Sequence, residues 1–235
     1  MIDPDLAGRL HFRHRLPTQA PLPPGRHELG LFAERDAVLV VPEGLDHRRP
    51  CRLVVLFHGG GGSAERILPM QERHAQSEKF LLLVPQSLFP TWDIVIAGHG
   101  PDRERVAATL EHVADRFLLD PERLCFAGHS DGGSYTLSLG LANGDVASHL
   151  IVSSAGFLSV HLQVGAPKIF LSHGTRDEQI PIDRSARIHV PALREAGYPV
   201  TYVEHDGPHA HQPAVVAQAV DFFLRDRPAA QVRAG

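Results

Sequence analysis

Cysteine is nearly missing from this sequence: Cys51 and Cys125 are the only two in 235 residues. A small secreted scaffold held by disulfides needs several more. Both fall at or inside stretches that read as strands, so they are expected as reduced, buried thiols of a cytoplasmic protein. Positive charge is not in excess either. Lys and Arg number 23 against 27 Asp and Glu, a formal net charge of −4, which gives no footprint for nucleic acid or for an anionic membrane surface. Long apolar runs are absent: the stretches 53–57 and 80–85 are far too short to span a bilayer, so no stable membrane insertion is expected. The first residues, Met1-Ile2-Asp3-Pro4, carry no basic region followed by an apolar segment, so no signal peptide is read there. No H-E-x-x-H or paired C-x-x-C occurs, which leaves the 16 histidines without a metal-binding motif. No internal repeat and no second domain are visible.

What is present is a chain long enough for one domain, with 43% apolar residues. Residues 1–50 read as peripheral strands and turns of that domain, punctuated by Pro17, Pro21, Pro23 and Pro24, with a short strand at 37–41. Residues 51–226 read as the core, and 227–235 as a frayed tail. Continuous apolar runs at 53–57, 81–84, 124–127, 150–152, 169–171 and 200–203 have the character of strands covered on both faces. Helical segments lie between them. Val106, Leu110, Val113 and Phe117 follow one helix face, as do Val216, Val220, Phe223 and Leu224. Strand–helix alternation predicts an α/β fold with a mostly parallel sheet and helices on both faces. Ligands of such sheets bind beyond the carboxyl ends of the strands, so the segments that follow each run hold the candidate chemistry.

The most distinctive of these is Gly128-His129-Ser130-Asp131-Gly132, a G-x-S-x-G between the run 124–127 and a helical stretch 134–142. A serine on a sharp strand-to-helix turn needs glycine two places before and after it, where side chains collide with neighbouring backbone. Ser130 is therefore the candidate nucleophile. His58-Gly59-Gly60-Gly61-Gly62 follows the most apolar run. A loop of this kind lets backbone N–H groups approach a developing oxyanion, so the donors are expected at Gly60 or Gly61 together with Asp131. The same loop also fits the looser dinucleotide pattern Gly59-x-Gly61-x-x-Ala64. A phosphate-binding P-loop is excluded, because no Lys-Ser/Thr pair closes it. Ser172-His173-Gly174-Thr175-Arg176-Asp177 offers Asp177 as the acid, with Glu178 and Asp183 as neighbours that could be confused with it. His205-Asp206-Gly207-Pro208-His209-Ala210-His211 offers the base. His209, directly after the Gly-Pro turn, is preferred over His211, and His205 is assigned to the strand end. A metal site on His205, His209 and His211 is the competing reading of that loop.

Taken in order, the segments 58–62, Pro85-Gln86-Ser87 with Thr91-Trp92-Asp93, 128–133, 139–145, 173–181 and 206–209 resemble the α/β-hydrolases. The resemblance is to their phospholipase/carboxylesterase group, which includes acyl-protein thioesterases and small bacterial esterases. It implies the α/β-hydrolase fold and a triad of Ser130, Asp177 and His209, with no cofactor and no metal. The implied activity is hydrolysis of carboxylic or thio-esters through an acyl-enzyme, on a small-molecule ester, by a monomer or homodimer. His129 and Asp131 depart from that group, where Phe and Gln often flank the nucleophile. The stretch 153–167 is too short for a large helical lid, so an open site is expected. Trp92, His58 and Phe157 are the expected substrate-binding side chains, with Phe89 and Leu158 as further pocket candidates. An acyltransferase on the same scaffold, or a silent ligand-binding relative, remains an alternative reading.

Overall fold

The computed structural model describes residue 3 and residues 6–225; the expected frayed tail lies outside them. Eight strands form one sheet: β1 Gly25–Glu28, β2 Val38–Val41, β3 Cys51–Phe57, β4 Leu81–Val84, β5 Leu119–His129, β6 His149–Ser153, β7 Lys168–Gly174 and β8 Val200–His205. Their order is β1-β2-β4-β3-β5-β6-β7-β8. β2 pairs antiparallel with β1 and with β4, and every pairing from β4 through β8 is parallel. The helices are α1 Ala64–Glu78, α2 Asp93–Ile96, α3 Pro101–Ala114, α4 Asp131–Ala142, α5 Ala186–Glu195 and α6 Pro213–Arg225.

Side chains alternate across a strand, and that explains the unbroken apolar runs. Leu53, Val55 and Phe57 of β3 point to the face covered by α3, α4 and α5. Val54 and Leu56 point to the face covered by α1 and α6. Neither face of a central strand meets water, so neither can be polar. β1 went unread as a separate strand because Gly-Arg-His-Glu has no apolar residue; it forms by pairing with β2 at the edge of the sheet. Charged side chains on an edge strand also discourage further pairing. Phe117 lies beyond the end of α3, yet it is buried in the same core as Val106, Leu110 and Val113.

The parallel strands all end on one side. The loops after β3, β5, β7 and β8 therefore meet at one rim, as the crossover topology requires. β6 is joined to β7 without any helix or strand between them, so no helical lid covers this rim.

Candidate active site

β5 ends at His129, and α4 starts at Asp131. Ser130 alone makes the turn, with φ 58° and ψ −125°. A non-glycine residue in the left-handed region is strained, and here the surroundings enforce it. Its N–H donates to the Ser153 carbonyl of β6 (3.0 Å), and its own carbonyl accepts from Ser134 N–H in the first turn of α4 (3.0 Å). The turn packs so closely that a Cβ on Gly128 would run into the backbone of Gly132. A Cβ on Gly132 would strike the carbonyls of Phe57 and His58 at the end of β3. Gly133 is similarly confined, with the Ser153 carbonyl 2.8 Å from where its Cβ would stand.

The Gly-rich loop lies directly against this turn. A Cβ on Gly59 would sit 3.4 Å from Ser130 Cβ. Gly61 N–H donates to the Pro90 carbonyl (2.7 Å), and Gly62 N–H to the Gly59 carbonyl (3.0 Å). Gly60 N–H makes no hydrogen bond among the described residues. Asp131 N–H opens α4, where the first N–H groups have no partner within the helix. Of the three expected oxyanion donors, then, Gly60 and Asp131 have a free N–H and Gly61 does not. The Asp131 carboxylate accepts from the Thr91 hydroxyl (2.6 Å).

The loop after β7 places Asp177 with its side chain fully buried. One carboxylate oxygen accepts from Gln179 N–H (3.1 Å) and Ile180 N–H (2.8 Å). The other accepts from His209 Nδ1 (2.7 Å) and lies 3.3 Å from His173 Nε2. Burial works to raise the Asp177 pKa. The Ile180 N–H, His209 and the Ser154 hydroxyl outweigh it and hold the carboxyl below its ordinary value. Glu178 is exposed, and Asp183 is taken by Arg187 (2.8 Å), so neither competes for the base.

His209 lies beside the Ser130 turn through His129: the two rings are 4.6 Å apart, centre to centre. His211 also lies against His129, its ring centre 4.2 Å away and its plane tilted by 51°. Ser130 Oγ and His209 make no hydrogen bond to each other; such bonds are often long until substrate tightens them. Burial depresses both flanking imidazoles, His129 to about 3 and His211 to about 4, and the neighbouring histidines add to the effect. Both are therefore neutral near pH 7. His205 ends β8. Among the described residues no group of three or more His, Cys, Asp or Glu side chains could hold a metal ion.

No protein-family model matches the chain. Feruloyl esterase C of Emericella nidulans is 24% identical to it over 229 residues, covering 81% of this chain and 84% of that protein. A solved thermostable esterase superposes with a TM-score of 0.67 at 19% identity, covering 81% of this chain and 58% of its own longer chain. Esterase PE8 superposes equally well, at 0.67 and 19%, covering 80% of this chain and 96% of PE8. The fold is that of the α/β-hydrolases. The strained turn at Ser130 and the loop 58–62 lie against each other at the carboxyl ends of β5 and β3.

Two of the expected substrate-binding residues do not face solvent. Trp92 is fully buried. Its indole N–H donates to the His58 carbonyl (2.8 Å), and its ring stacks on Tyr135 at 4.4 Å. His58 is also fully buried. Its Nδ1 donates to the Gly59 carbonyl (2.8 Å), and its Nε2 accepts from Ser87 N–H (3.2 Å) and Arg35 (3.2 Å). Burial keeps it neutral, with a pKa near 4. These two side chains hold the α/β-hydrolase loop from behind rather than lining its pocket. Phe157 and Leu158 are half-buried against the core, and Phe89 is exposed. Arg35 escaped the sequence reading: it lies in the N-terminal segment, yet it also donates to the carbonyls of Gly62 (3.0 Å) and Ser87 (2.6 Å). Ser154 was missed, and Thr91 was read only as part of a segment, because their partners Asp177 and Asp131 are remote in the chain.

Proposed function

We propose that this protein is a small carboxylesterase in which Ser130 is the nucleophile, His209 the general base and Asp177 its partner. The observation that carries this reading is the 2.7 Å bond between the buried Asp177 and His209 Nδ1. It sits on the rim where the strained Ser130 turn presents its hydroxyl. A proton on Nδ1 leaves the Nε2 lone pair free to accept the Ser130 proton. As Ser130 Oγ attacks the ester carbonyl, the carbonyl pair moves onto oxygen. Gly60 N–H and Asp131 N–H, with the α4 N-terminus behind the latter, stabilise that charge. Loss of one such donor raises the barrier by about 3 kcal/mol. His209 then protonates the leaving oxygen, and water activated by the same imidazole releases the acid from Ser130. Asp177 holds the tautomer and stabilises the imidazolium. No step requires a metal or an organic cofactor.

The curated relative is named a feruloyl esterase, which supports an ester as substrate and puts methyl ferulate on the test panel. The order of motifs supports the phospholipase/carboxylesterase group, and the two free, buried thiols support a cytoplasmic setting. No helix among the described residues is long and apolar enough to cross a membrane. The test is hydrolysis of p-nitrophenyl esters from acetate to decanoate and of methyl ferulate, by wild type and Ser130→Ala. Turnover that disappears in the variant supports the reading. Turnover that persists at the wild-type rate in Ser130→Ala refutes it, as does the absence of both turnover and fluorophosphonate labelling at Ser130.

A further inference from the structure

A groove of about 720 Å³ runs between α1 and α6 and is bounded at one end by His211. Its α1 wall is a single helical face: Arg66, Met70 and Arg73, with His74 beside them, recur at the i, i+4, i+7, i+8 spacing. Val216 of α6 faces them. Pro69, Met70, Pro213 and Val216 give the groove an apolar lining, Arg66 and Arg73 bring two guanidinium groups, and no carboxylate lines it. Two acids of α1, Glu72 and Glu65, turn to Arg26 instead (2.5 and 3.9 Å). Among the described residues, neither Arg66 nor Arg73 meets a carboxylate; Arg66 donates only to the Gly61 carbonyl (3.2 Å).

The groove also joins the site at two points. Arg66 touches the Gly-rich loop through Gly61, and His211 sits two residues beyond His209 with its ring in contact with His129. The base hands its proton to the leaving oxygen, so the leaving alcohol departs on the histidine side. We propose that this groove receives the leaving alcohol of the ester, and that the preferred alcohol carries a carboxylate bound by Arg66 and Arg73. This inference rests on the esterase reading above. Arg66 and Arg73 stand two turns apart, about 10 Å along the helix, and both border the one groove. Its apolar lining contacts the body of the alcohol, and the arginines offer charge-assisted bonds to the acid.

The experiment compares 4-acetoxybenzoate with its methyl ester, which share the leaving phenol's ring and differ in the charge of its para group; the intrinsic difference in leaving-group acidity cancels when the ratio is compared between wild type and variant. In wild type and in Arg66→Gln/Arg73→Gln, kcat/KM is read for both. The charged-to-neutral ratio is expected to fall by about fivefold in the variant, as for exposed ion pairs. Added salt should lower the ratio in wild type only. Arg66→Lys/Arg73→Lys should keep most of the preference, which separates charge from shape. A ratio unchanged within twofold in the Gln variant, with both esters turned over, overturns the groove assignment and leaves the esterase reading standing. If wild type hydrolyses neither ester, fluorophosphonate labelling at Ser130 decides the esterase reading, which fails if labelling is absent too. Calorimetric binding of 4-hydroxybenzoate then decides the groove: binding weakened in the Gln variant supports it, and equal or absent binding overturns it.

Discussion

Replacing Asp177 by Asn tests the proposed roles most sharply, because the structure dictates how the amide must sit. One carboxylate oxygen accepts two backbone N–H groups, from Gln179 and Ile180, at 3.1 and 2.8 Å. An amide nitrogen cannot accept them, so the Asn oxygen takes that position. The NH2 group then faces His209 Nδ1, 2.7 Å away in the wild type, and His173 Nε2, at 3.3 Å. It donates to Nδ1, which moves the imidazole proton to Nε2. Ser130 then faces an N–H instead of a lone pair, and the base is lost while the geometry survives. A wrong tautomer of this kind costs about four orders of magnitude in kcat, or roughly 5.5 kcal/mol. Most of the effect should appear in kcat, with KM changed by less than about threefold, because the ester-binding surface is untouched. The assay is steady-state hydrolysis of p-nitrophenyl acetate by a variant whose circular dichroism matches wild type. A folded Asp177→Asn enzyme within tenfold of wild-type kcat would refute the assignment.

Gly132→Ala should fail to fold or melt far below wild type, since its Cβ enters the Phe57 and His58 carbonyls; a melting temperature within 3 °C of wild type would contradict that geometry. Trp92→Phe keeps the stack on Tyr135 and loses the bond to the His58 carbonyl, so it should cost about 1 kcal/mol, read as a melting shift of a few degrees, with little change in KM; a large KM change would return Trp92 to the substrate. Burial, together with nearby Asp102, raises the Asp93 carboxyl to about 6, and one of its oxygens is buried without a partner. A carboxyl raised on folding loses its contribution as pH rises from about 4 through that value, so Asp93→Asn should gain on wild type by about 1.4 kcal/mol between pH 5 and 8, read as a difference in melting temperature that grows with pH; a flat difference would refute it. Asp177 has the opposite sign, contributing stability above the ordinary carboxylate range that is lost as pH falls through its depressed value. Cys51, raised to about 11, and Cys125, raised further, are both buried, so neither thiol should react with a disulfide reagent at pH 8 until denaturant is added; prompt labelling would contradict their burial.

The sequence alone determined the sheet and the turn at Ser130, because both are local consequences of residue type. A strand buried on both faces must be continuously apolar, and 53–57 and 81–84 could be little else. A strand-to-helix turn this tight tolerates only glycine two places either side of the serine, so Gly128 and Gly132 announced it. Asp177 and His209 were legible as candidate acid and base in the loops after late strands, chosen over Asp183 and His211 by their place in the loops and by the family resemblance. Their 2.7 Å contact, across 32 residues of chain, and the engagement of Asp183 by Arg187 are set only by the packed loops. The same limit hid Arg35, whose contacts with His58 and Gly62 join segments more than twenty residues apart. It also misplaced Trp92 and His58. A large aromatic beside a functional loop reads the same in sequence whether it lines a pocket or supports the loop from behind, and burial, which only the tertiary structure provides, decides between the two.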